Sequence, residues 1–276
     1  YTVEELEKVY SDTLALDGEG EVRETVDLYA VLDKGVPVIL EVLVPGEDGT
    51  LVHKFWVSHY NELRWLYWKG NFATNGLAEA TWKLYGDFIV PTTMESYVVN
   101  GSTQLGGSND VKRFLDDGSL GSSYKIDIDL CGFMWADAAA LQDGGALLTN
   151  GTKHILNIKN GTFVEGRRTY NGATDSELNI ENTVFVQADS FISQGDGKSY
   201  FRSKNSVVVD CRPGTAMYSF INFSFVECEC ENTIFRSLYK TAEGMFCLNG
   251  SKFGQTKSVF RNCSFISYNG NRPLFN

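Results

Sequence analysis

The sequence of 276 residues predicts an all-β protein whose C-terminal half winds as a parallel β-helix. The first observation is a recurring phrase: an apolar or small residue, any residue, Asn, any residue, a small or β-branched residue and usually Phe. The second is the spacing between its asparagines, 22, 23, 27 and 30 residues, which is typical of chains that wind around an axis with one unit per turn. The phrase occurs around Asn160, Asn182, Asn205, Asn232 and Asn262.

Each of these asparagines is predicted to form a corner where one strand ends and the next begins. Asn tolerates left-handed backbone, and its amide can bond neighbouring backbone groups. We expect stacked turns to place the amides above one another, each donating to the next, so that a buried polar group is satisfied. The final Phe of the phrase, replaced by Val208 in the third copy, is predicted to stack in the core at Phe163, Phe185, Phe235 and Phe265.

Some of these asparagines also begin Asn-x-Ser/Thr sequons, which could carry glycans in a secreted eukaryotic protein. The corner role explains Asn160 and Asn262 without any sugar. Asn100 lies outside the repeat and is therefore the glycosylation candidate. The six sequons begin at Asn100, Asn150, Asn160, Asn222, Asn249 and Asn262.

The composition, 21% charged and 43% hydrophobic, indicates a globular chain. The net charge of -11 is concentrated in residues 1–50, which hold 13 acidic and 3 basic residues, so the repeat region is nearly neutral. No basic stripe is present to displace counterions, which argues against a nucleic-acid partner. No apolar run approaches the roughly 18 to 20 residues that span a bilayer, so no transmembrane segment is expected.

Five of the six cysteines lie in the repeat region, where a thiol is a good small filler of a stacked core. We favour buried thiols, with a disulfide framework as the alternative. The Cys228-Glu-Cys230 spacing is too tight for an ordinary zinc pair, so no metal centre is expected there. The cysteines are Cys131, Cys211, Cys228, Cys230, Cys247 and Cys263.

Residues 1–100 are predicted to form a smaller, mainly antiparallel β region with a short amphipathic helix over residues 3–10. Apolar runs at residues 36–44 and 51–57 flank a Pro-Gly-Glu-Asp-Gly turn signal, which predicts a β-hairpin. The tryptophans between residues 56 and 82 are interpreted as core, with a sugar-stacking platform as the alternative.

The Gly/Ser-rich segment 101–123 predicts a domain boundary or a long loop, and the parallel β-helix is assigned to residues 124–276. Its first run alternates, which places Lys125, Asp127 and Asp129 on one strand face. Two carboxylates there could hold calcium with help from neighbours. A solvated face whose charge is balanced by Lys125 is the simpler interpretation.

The phrases Asn160-Gly-Thr-Phe, Asn182-Thr-Val-Phe and Phe260-Arg-Asn-Cys-Ser-Phe resemble coils of the pectate-lyase-like right-handed parallel β-helix superfamily. They are similar in particular to surface-associated β-helix proteins of the Bacteroidota type. The resemblance covers about residues 144–276. It implies a right-handed coil and an exported, glycan-associated or adhesive role.

The enzymes of that superfamily use clustered aspartates that hold calcium with an Arg as base, or paired aspartates with a His. This sequence departs from both patterns. Its only adjacent aspartates, Asp116 and Asp117, precede the repeats, and its histidines, His53, His59 and His154, form no recognisable group. No catalytic residue and no cofactor are assigned, with calcium as the one cofactor that the pattern would admit.

These observations predict a non-enzymatic extracellular or cell-surface module that binds a polysaccharide or a surface protein in an adhesin-like or structural role. One alternative is a polysaccharide lyase or hydrolase acting on an acidic glycan. Another is a subunit of a surface filament or phage fibre that associates end to end. The predicted contacts are aromatic and basic residues on or beside the polar excursions between strands, namely Arg167, Arg168, Tyr170, Tyr200, Arg202 and Tyr218.

Overall fold

The structure of the protein is a computed structural model. The elements whose bounds it describes are β-strands, which confirms the all-β prediction, while the predicted helix over residues 3–10 lies outside the described part. The described residues are 39–58, 60, 63, 77–90, 97–99, 102–104, 124–137, 148–149, 155–165, 170–171, 177–187, 192–193, 199–210, 221–222, 226–237, 246–247 and 258–267.

The predicted hairpin is confirmed. Strands β1 (Leu40–Pro45) and β2 (Leu51–Val57) pair antiparallel. Asp48 closes the turn between them, because its Oδ1 accepts hydrogen bonds from the backbone N (3.0 Å) and the hydroxyl (2.7 Å) of Thr50. Gly49 adopts a φ of 81°, which explains why the turn needs glycine there.

A long set of strands, called here the first ladder, follows the hairpin. Its first member pairs antiparallel with β1, and every later pairing in it is parallel and in register. The sheet is therefore largely parallel, as predicted for the C-terminal half. The first ladder comprises β3 (Glu79–Leu84), β7 (Lys125–Asp129), β10 (Ile155–Glu165), β12 (Glu177–Gln187), β14 (Ser199–Lys204), β17 (Val226–Glu231) and β20 (Val259–Arg261).

The second ladder lies beyond a corner and is also parallel. Because β10 and β12 run through the corner, each contributes to both ladders. The second ladder comprises β4 (Phe88–Val90), β8 (Met134–Asp137), the C-terminal halves of β10 and β12, β15 (Val207–Asp210), β18 (Ile234–Ser237) and β21 (Ser264–Ser267).

Short strands form further parallel pairings after the second ladder. Each unit thus contributes to the first ladder and then to the second, and five of the units contribute one strand to such a short pairing. One antiparallel pair stands apart, β5 (Tyr97–Val99) with β6 (Ser102–Gln104). The short parallel strands are β9 (Leu148–Thr149), β11 (Tyr170–Asn171) and β13 (Ile192–Ser193) in one sheet, and β16 (Ile221–Asn222) and β19 (Phe246–Cys247) in another.

The corner between the two ladders confirms that the asparagines turn the chain and that their amides bond to one another. Asn160 is half-buried and the other four are exposed, so the expectation that they satisfy a buried polar group is wrong. All five have left-handed backbone, with φ between 49° and 62°. Their amides stack: the Nδ2 of Asn182 donates to the Oδ1 of Asn160 (3.3 Å), and the Nδ2 of Asn262 donates to the Oδ1 of Asn232 (2.6 Å). Asn232 donates in the same way to Asn205 at 3.1 Å.

The residue after each asparagine has a role that the sequence phrase does not predict. The buried hydroxyl of Thr183 donates to the carbonyl of Glu181, two residues earlier, at 2.7 Å. Ser206 and Thr233 make the equivalent bonds in their own repeats, at 2.7 and 2.9 Å. A small polar side chain is favoured here because it satisfies a carbonyl at the corner from inside the core.

The predicted phenylalanine column forms the core. Phe163 stacks on Phe185 with ring centroids 5.7 Å apart, and Phe235 stacks on Phe265 at 5.3 Å. Val208, completely buried, occupies the same register position between the two pairs.

The parallel stack extends upstream of residue 124. Trp82 in β3 lies opposite Ile128 in β7, and its ring stacks on that of Trp135 with centroids 5.8 Å apart. Residues 79–90, which the sequence assigned to an antiparallel region, thus belong to the parallel ladders. Of the predicted boundary segment 101–123, only residues 102–104 are described.

The four cysteines whose side chains are described are free thiols. Cys228 and Cys230 point into the core, as predicted, whereas Cys131 is exposed and Cys263 is half-buried. Burial raises the pKa of the Cys230 thiol to about 12. Both buried thiols are therefore protonated and act as small apolar fillers.

Candidate functional site

The outer face of the first ladder carries a continuous array of polar and charged side chains. Strand alternation directs Leu156, Ile158, Leu178 and Ile180 into the core, and the residues between them point outward. Parallel, in-register pairing then aligns the outward residues of successive strands into rows that run across the strands. Two of these rows have distinct chemistry.

One row, called here the charge row, alternates in sign across all seven strands of the first ladder. Each member lies directly opposite the next in the strand register. Opposite charges on neighbouring strands attract, so the row also favours the observed register. Its members, in strand order, are Lys83, Asp129, Lys159, Glu181, Lys204, Glu231 and Arg261.

Several charges in this row are not neutralised by a close partner. The Nζ of Lys159 lies 3.3 Å from Oδ2 of Asp129. Among the described residues, Glu181, Lys204 and Glu231 have no ion-pair partner within 4 Å. All three are exposed and are therefore accessible to a ligand.

The neighbouring row is a chain of side-chain hydrogen bonds. The Nη1 of Arg202 donates to Oδ1 of Asn179 (3.3 Å), whose Nδ2 donates to Oδ1 of Asn157 (2.7 Å). The Nδ2 of Asn157 in turn donates to Oδ1 of Asp127. The chain runs from a cation to an anion across four strands, and it fixes which way each amide faces.

Arg202 also contacts Glu177 and Tyr200, which lie opposite each other in the strand register and form a third outward row. Its Nη1 lies 2.6 Å from Oε2 of Glu177, and its Cζ lies 5.2 Å from the centroid of the Tyr200 ring. The Arg202 side chain is nevertheless 41% exposed. The guanidinium is therefore held in one place while part of it remains open to solvent.

A shallow groove of about 390 Å³ lies over these rows. A smaller hollow of about 170 Å³ is lined by Tyr200, Arg202 and Arg261 among others, so Arg202 and Arg261 border both depressions. The charged and amide side chains along the larger groove are Asn157, Lys159, Asn179, Glu181, Arg202, Lys204, Glu229, Glu231 and Arg261.

The two aspartates considered for calcium are occupied by other contacts. Lys125 Nζ lies 3.8 Å from Oδ2 of Asp127. Partial burial acts to raise the pKa of Asp129, but hydrogen bonds from Asn160 and from the backbone N of Cys131, together with Lys159, outweigh it and hold that pKa below its ordinary value. Within the described residues, no three His, Cys, Asp or Glu side chains are grouped as a metal site.

The outer face of the second ladder is different in character, because most of its outward residues are aliphatic. Val184, Ile234 and Ile266 are 40 to 46% exposed there. Arg236 is an exposed cation on this face. The polar chemistry of the described ladders is thus concentrated on the first.

The structure brings together two of the six predicted contact residues, Tyr200 and Arg202, which lie two residues apart on β14. Tyr170 lies in β11, in a different sheet, and its side chain is outside the described part. The remaining predicted contacts and the glycosylation candidate also lie outside it: Arg167, Arg168, Tyr218 and Asn100.

Sequence reasoning missed the charge row, although its signal is present. The residue before the Asn of each phrase is Lys159, Glu181, Lys204, Glu231 or Arg261, so its charge alternates from one copy to the next. The recurring phrase, as defined from the sequence, allows any residue at this position. The alternation becomes a surface feature only when the copies stack in register.

No protein-family model matches the chain, and comparisons with curated proteins and with solved structures return no match. In the described part of the chain, no helix has the length and apolar character needed to cross a bilayer.

Proposed function

We propose that the chain is a right-handed parallel β-helix of the pectate-lyase-like superfamily. The proposal is supported by parallel pairings in the two ladders and in the short sheets, and by the left-handed asparagine that recurs at the same corner. Its role is that of a non-enzymatic extracellular or cell-surface module that binds glycan or protein partners in an adhesin-like way. The partner lies on the outer face of the first ladder.

The observation that carries the binding role is the Tyr200–Arg202 pair beside the groove. An aromatic ring offers an apolar surface to a sugar, and a guanidinium offers planar hydrogen-bond donors. Because Glu177 and Asn179 already hold Arg202, little side-chain freedom remains to be lost when a ligand arrives.

The shape of the face suits an extended partner. Neighbouring strands lie about 4.8 Å apart, so the part of the face from β10 to β20 is about 19 Å long. Its contact residues stand on paired strands instead of loops, which keeps their spacing fixed. A shallow, open groove with regularly spaced polar groups fits a linear polymer such as a polysaccharide. Small molecules usually bind in more enclosed pockets.

The test is a screen for retained polysaccharides, followed by affinity measurements on Arg202→Ala. We expect the substitution to weaken binding about tenfold, because a charged hydrogen-bonding group in the contact is removed. Arg236→Ala, an exposed arginine on the other ladder, is the matched control and should bind as the unaltered protein does.

Two results would overturn the proposal. One is that Arg202→Ala and the unaltered protein bind every retained partner equally. The other is that unsaturated or shortened sugars accumulate when a retained polysaccharide is incubated with the unaltered protein but not with Arg202→Ala, which would establish the lyase or hydrolase alternative.

A further inference from the structure

The charges of the charge row repeat at a regular distance that the charges of a ligand can match. The distance between its neighbouring members is set by the strand spacing, about 4.8 Å, so charges of the same sign recur about every 9.6 Å. The exposed cations Lys159, Lys204 and Arg261 occupy alternate strands, and Glu181 and Glu231 lie between them.

We propose that this row selects linear glycans in which every second sugar carries a negative charge. This inference rests on the proposed function. A glycan laid along the stack crosses the strands at right angles. Since a pyranose in such a chain advances by close to the strand spacing of about 4.8 Å, each strand faces one sugar. Every second sugar then faces a cation.

Electrostatics make this arrangement selective. In one of the two registers, every carboxylate or sulfate of an alternately charged glycan lies over Lys159, Lys204 or Arg261. The uncharged sugars lie over Glu181 and Glu231, whose carboxylates accept hydrogen bonds from sugar hydroxyl or amide groups. A glycan charged on every sugar places some of its carboxylates over these glutamates in either register, and that repulsion discriminates against it.

Two of the three cations, Lys204 and Arg261, can be recruited because their present contacts are weak or absent, whereas Lys159 is shared with Asp129 at 3.3 Å. Lys204 has no ion-pair partner within 4 Å among the described residues. Arg261 lies 3.3 Å from Glu229, but both side chains are about 60% exposed, and such pairs contribute little in water. A ligand carboxylate can therefore displace Glu229 without a large penalty.

The test compares three oligosaccharides of equal length by calorimetry. Hyaluronan hexasaccharide carries a carboxylate on every second sugar, hexagalacturonate carries one on every sugar, and cellohexaose carries none. We expect hyaluronan hexasaccharide to bind about tenfold more tightly than hexagalacturonate, with an advantage that shrinks as salt is added.

Two variants locate the selection in the charge row. The double substitution Glu181→Gln with Glu231→Gln removes the repulsion and should raise the affinity for hexagalacturonate to that for hyaluronan hexasaccharide. Lys204→Gln should lower the affinity for hyaluronan hexasaccharide about tenfold. Lys54→Gln, an exposed lysine on the hairpin, is the matched control and should change neither affinity.

Equal binding of the two charged hexasaccharides, or a preference for hexagalacturonate, would overturn this inference while leaving the proposed binding role intact if Arg202→Ala still weakens binding. Absence of binding to all three overturns it as well. The polysaccharide screen then decides the proposed function separately. Circular dichroism of each variant verifies that a lost affinity is not a lost fold.

Discussion

The repeats with asparagine corners differ from the two units upstream of them, yet both kinds occupy the same ladders. Downstream, residues 160–161 form the corner, and the first of them is a left-handed Asn. In the unit formed by β7 and β8, the corner is longer, residues 130–133, and its left-handed positions are Cys131 and Gly132. The stack therefore accepts more than one way of turning the corner.

What the two regions share is the aromatic column. Phe88 stacks on Trp135 with centroids 4.5 Å apart, and Trp135 stacks on Phe163 at 5.8 Å. The column thus passes from the upstream units into the asparagine repeats without a break. Large inward residues therefore define the stack, whereas the asparagine is one local solution for its corner.

The largest expected loss of stability comes from removing one aromatic ring of this column in each region. Trp135→Ala and Phe185→Ala should each destabilise the protein by about 3 to 5 kcal/mol, because each leaves a cavity where a completely buried ring was packed. Urea unfolding of both variants measures the loss. Val184→Ala, at a 40% exposed neighbouring position, is the control.

Similar losses of stability would show that the two regions unfold together. Trp135→Ala could instead produce two unfolding transitions, with the larger one at the same midpoint as in the unaltered protein. The upstream units would then be an independently folding cap, and the aromatic column would not couple the stability of the two regions.

A smaller effect is expected at the junction between the two corners. A Cβ on Gly161 would lie 2.4 Å from the carbonyl oxygen of Phe133 and 2.5 Å from the Cβ of Leu130, both in the longer upstream corner. Gly161→Ala should therefore destabilise the fold by about 1 to 3 kcal/mol through overpacking. Thermal unfolding against Thr162→Ala, the adjacent position, checks this, and equal midpoints would contradict it.

The corner asparagine gives the next effect. Asn182→Ala should destabilise the protein by about 2 kcal/mol, because alanine is strained at a φ of 50° and the hydrogen bond from the Asn182 side chain to Asn160 is lost. Asn182→Gly removes the amide but tolerates the backbone, so it should lose less. Cys131→Ala in the upstream corner, where no amide stack exists at that residue, should change stability by less than about 0.5 kcal/mol. Equal losses for the alanine and glycine variants at residue 182 would contradict a role for backbone strain.

The smallest effect is a pH dependence at Asp129, where the asparagine stack meets the upstream units. Its Oδ1 accepts from Nδ2 of Asn160 at 3.1 Å, and its pKa is lower in the folded than in the unfolded chain. The ionised carboxylate therefore stabilises the fold above its unfolded pKa of about 3.9, and this contribution is lost as the pH falls through the lower folded value.

Asp129→Asn should lose that part of the pH dependence. The measurement is the change in urea midpoint between neutral pH and about pH 3, compared with the same change in Thr162→Ala. An identical pH profile for the two variants would mean that Asp129 contributes no pH-dependent stability.

The residues that sequence analysis identified correctly are those that solve the same local problem in every repeat. Asn182 must adopt left-handed backbone, and Phe185 must point inward three residues later. The unit around Trp82 was not recognised as parallel, because its corner contains no asparagine. The hydroxyl of Thr183 was missed because Gly161 and Cys263 stand at the same place in other copies, which hides the pattern.

Within the asparagine repeats, the local sequence pattern is enough to predict where the corners lie, which residues enter the core and how the strands alternate, since backbone preference and burial act within a few neighbouring residues. Which residues face one another across strands that are far apart in the chain depends instead on how the repeats stack. Stacked corners and a shared aromatic column fix each strand against the next, and a slip of one residue would turn core side chains outward. That constraint is what converts Lys159, Glu181 and Lys204, separate charges in the sequence, into one row on the surface.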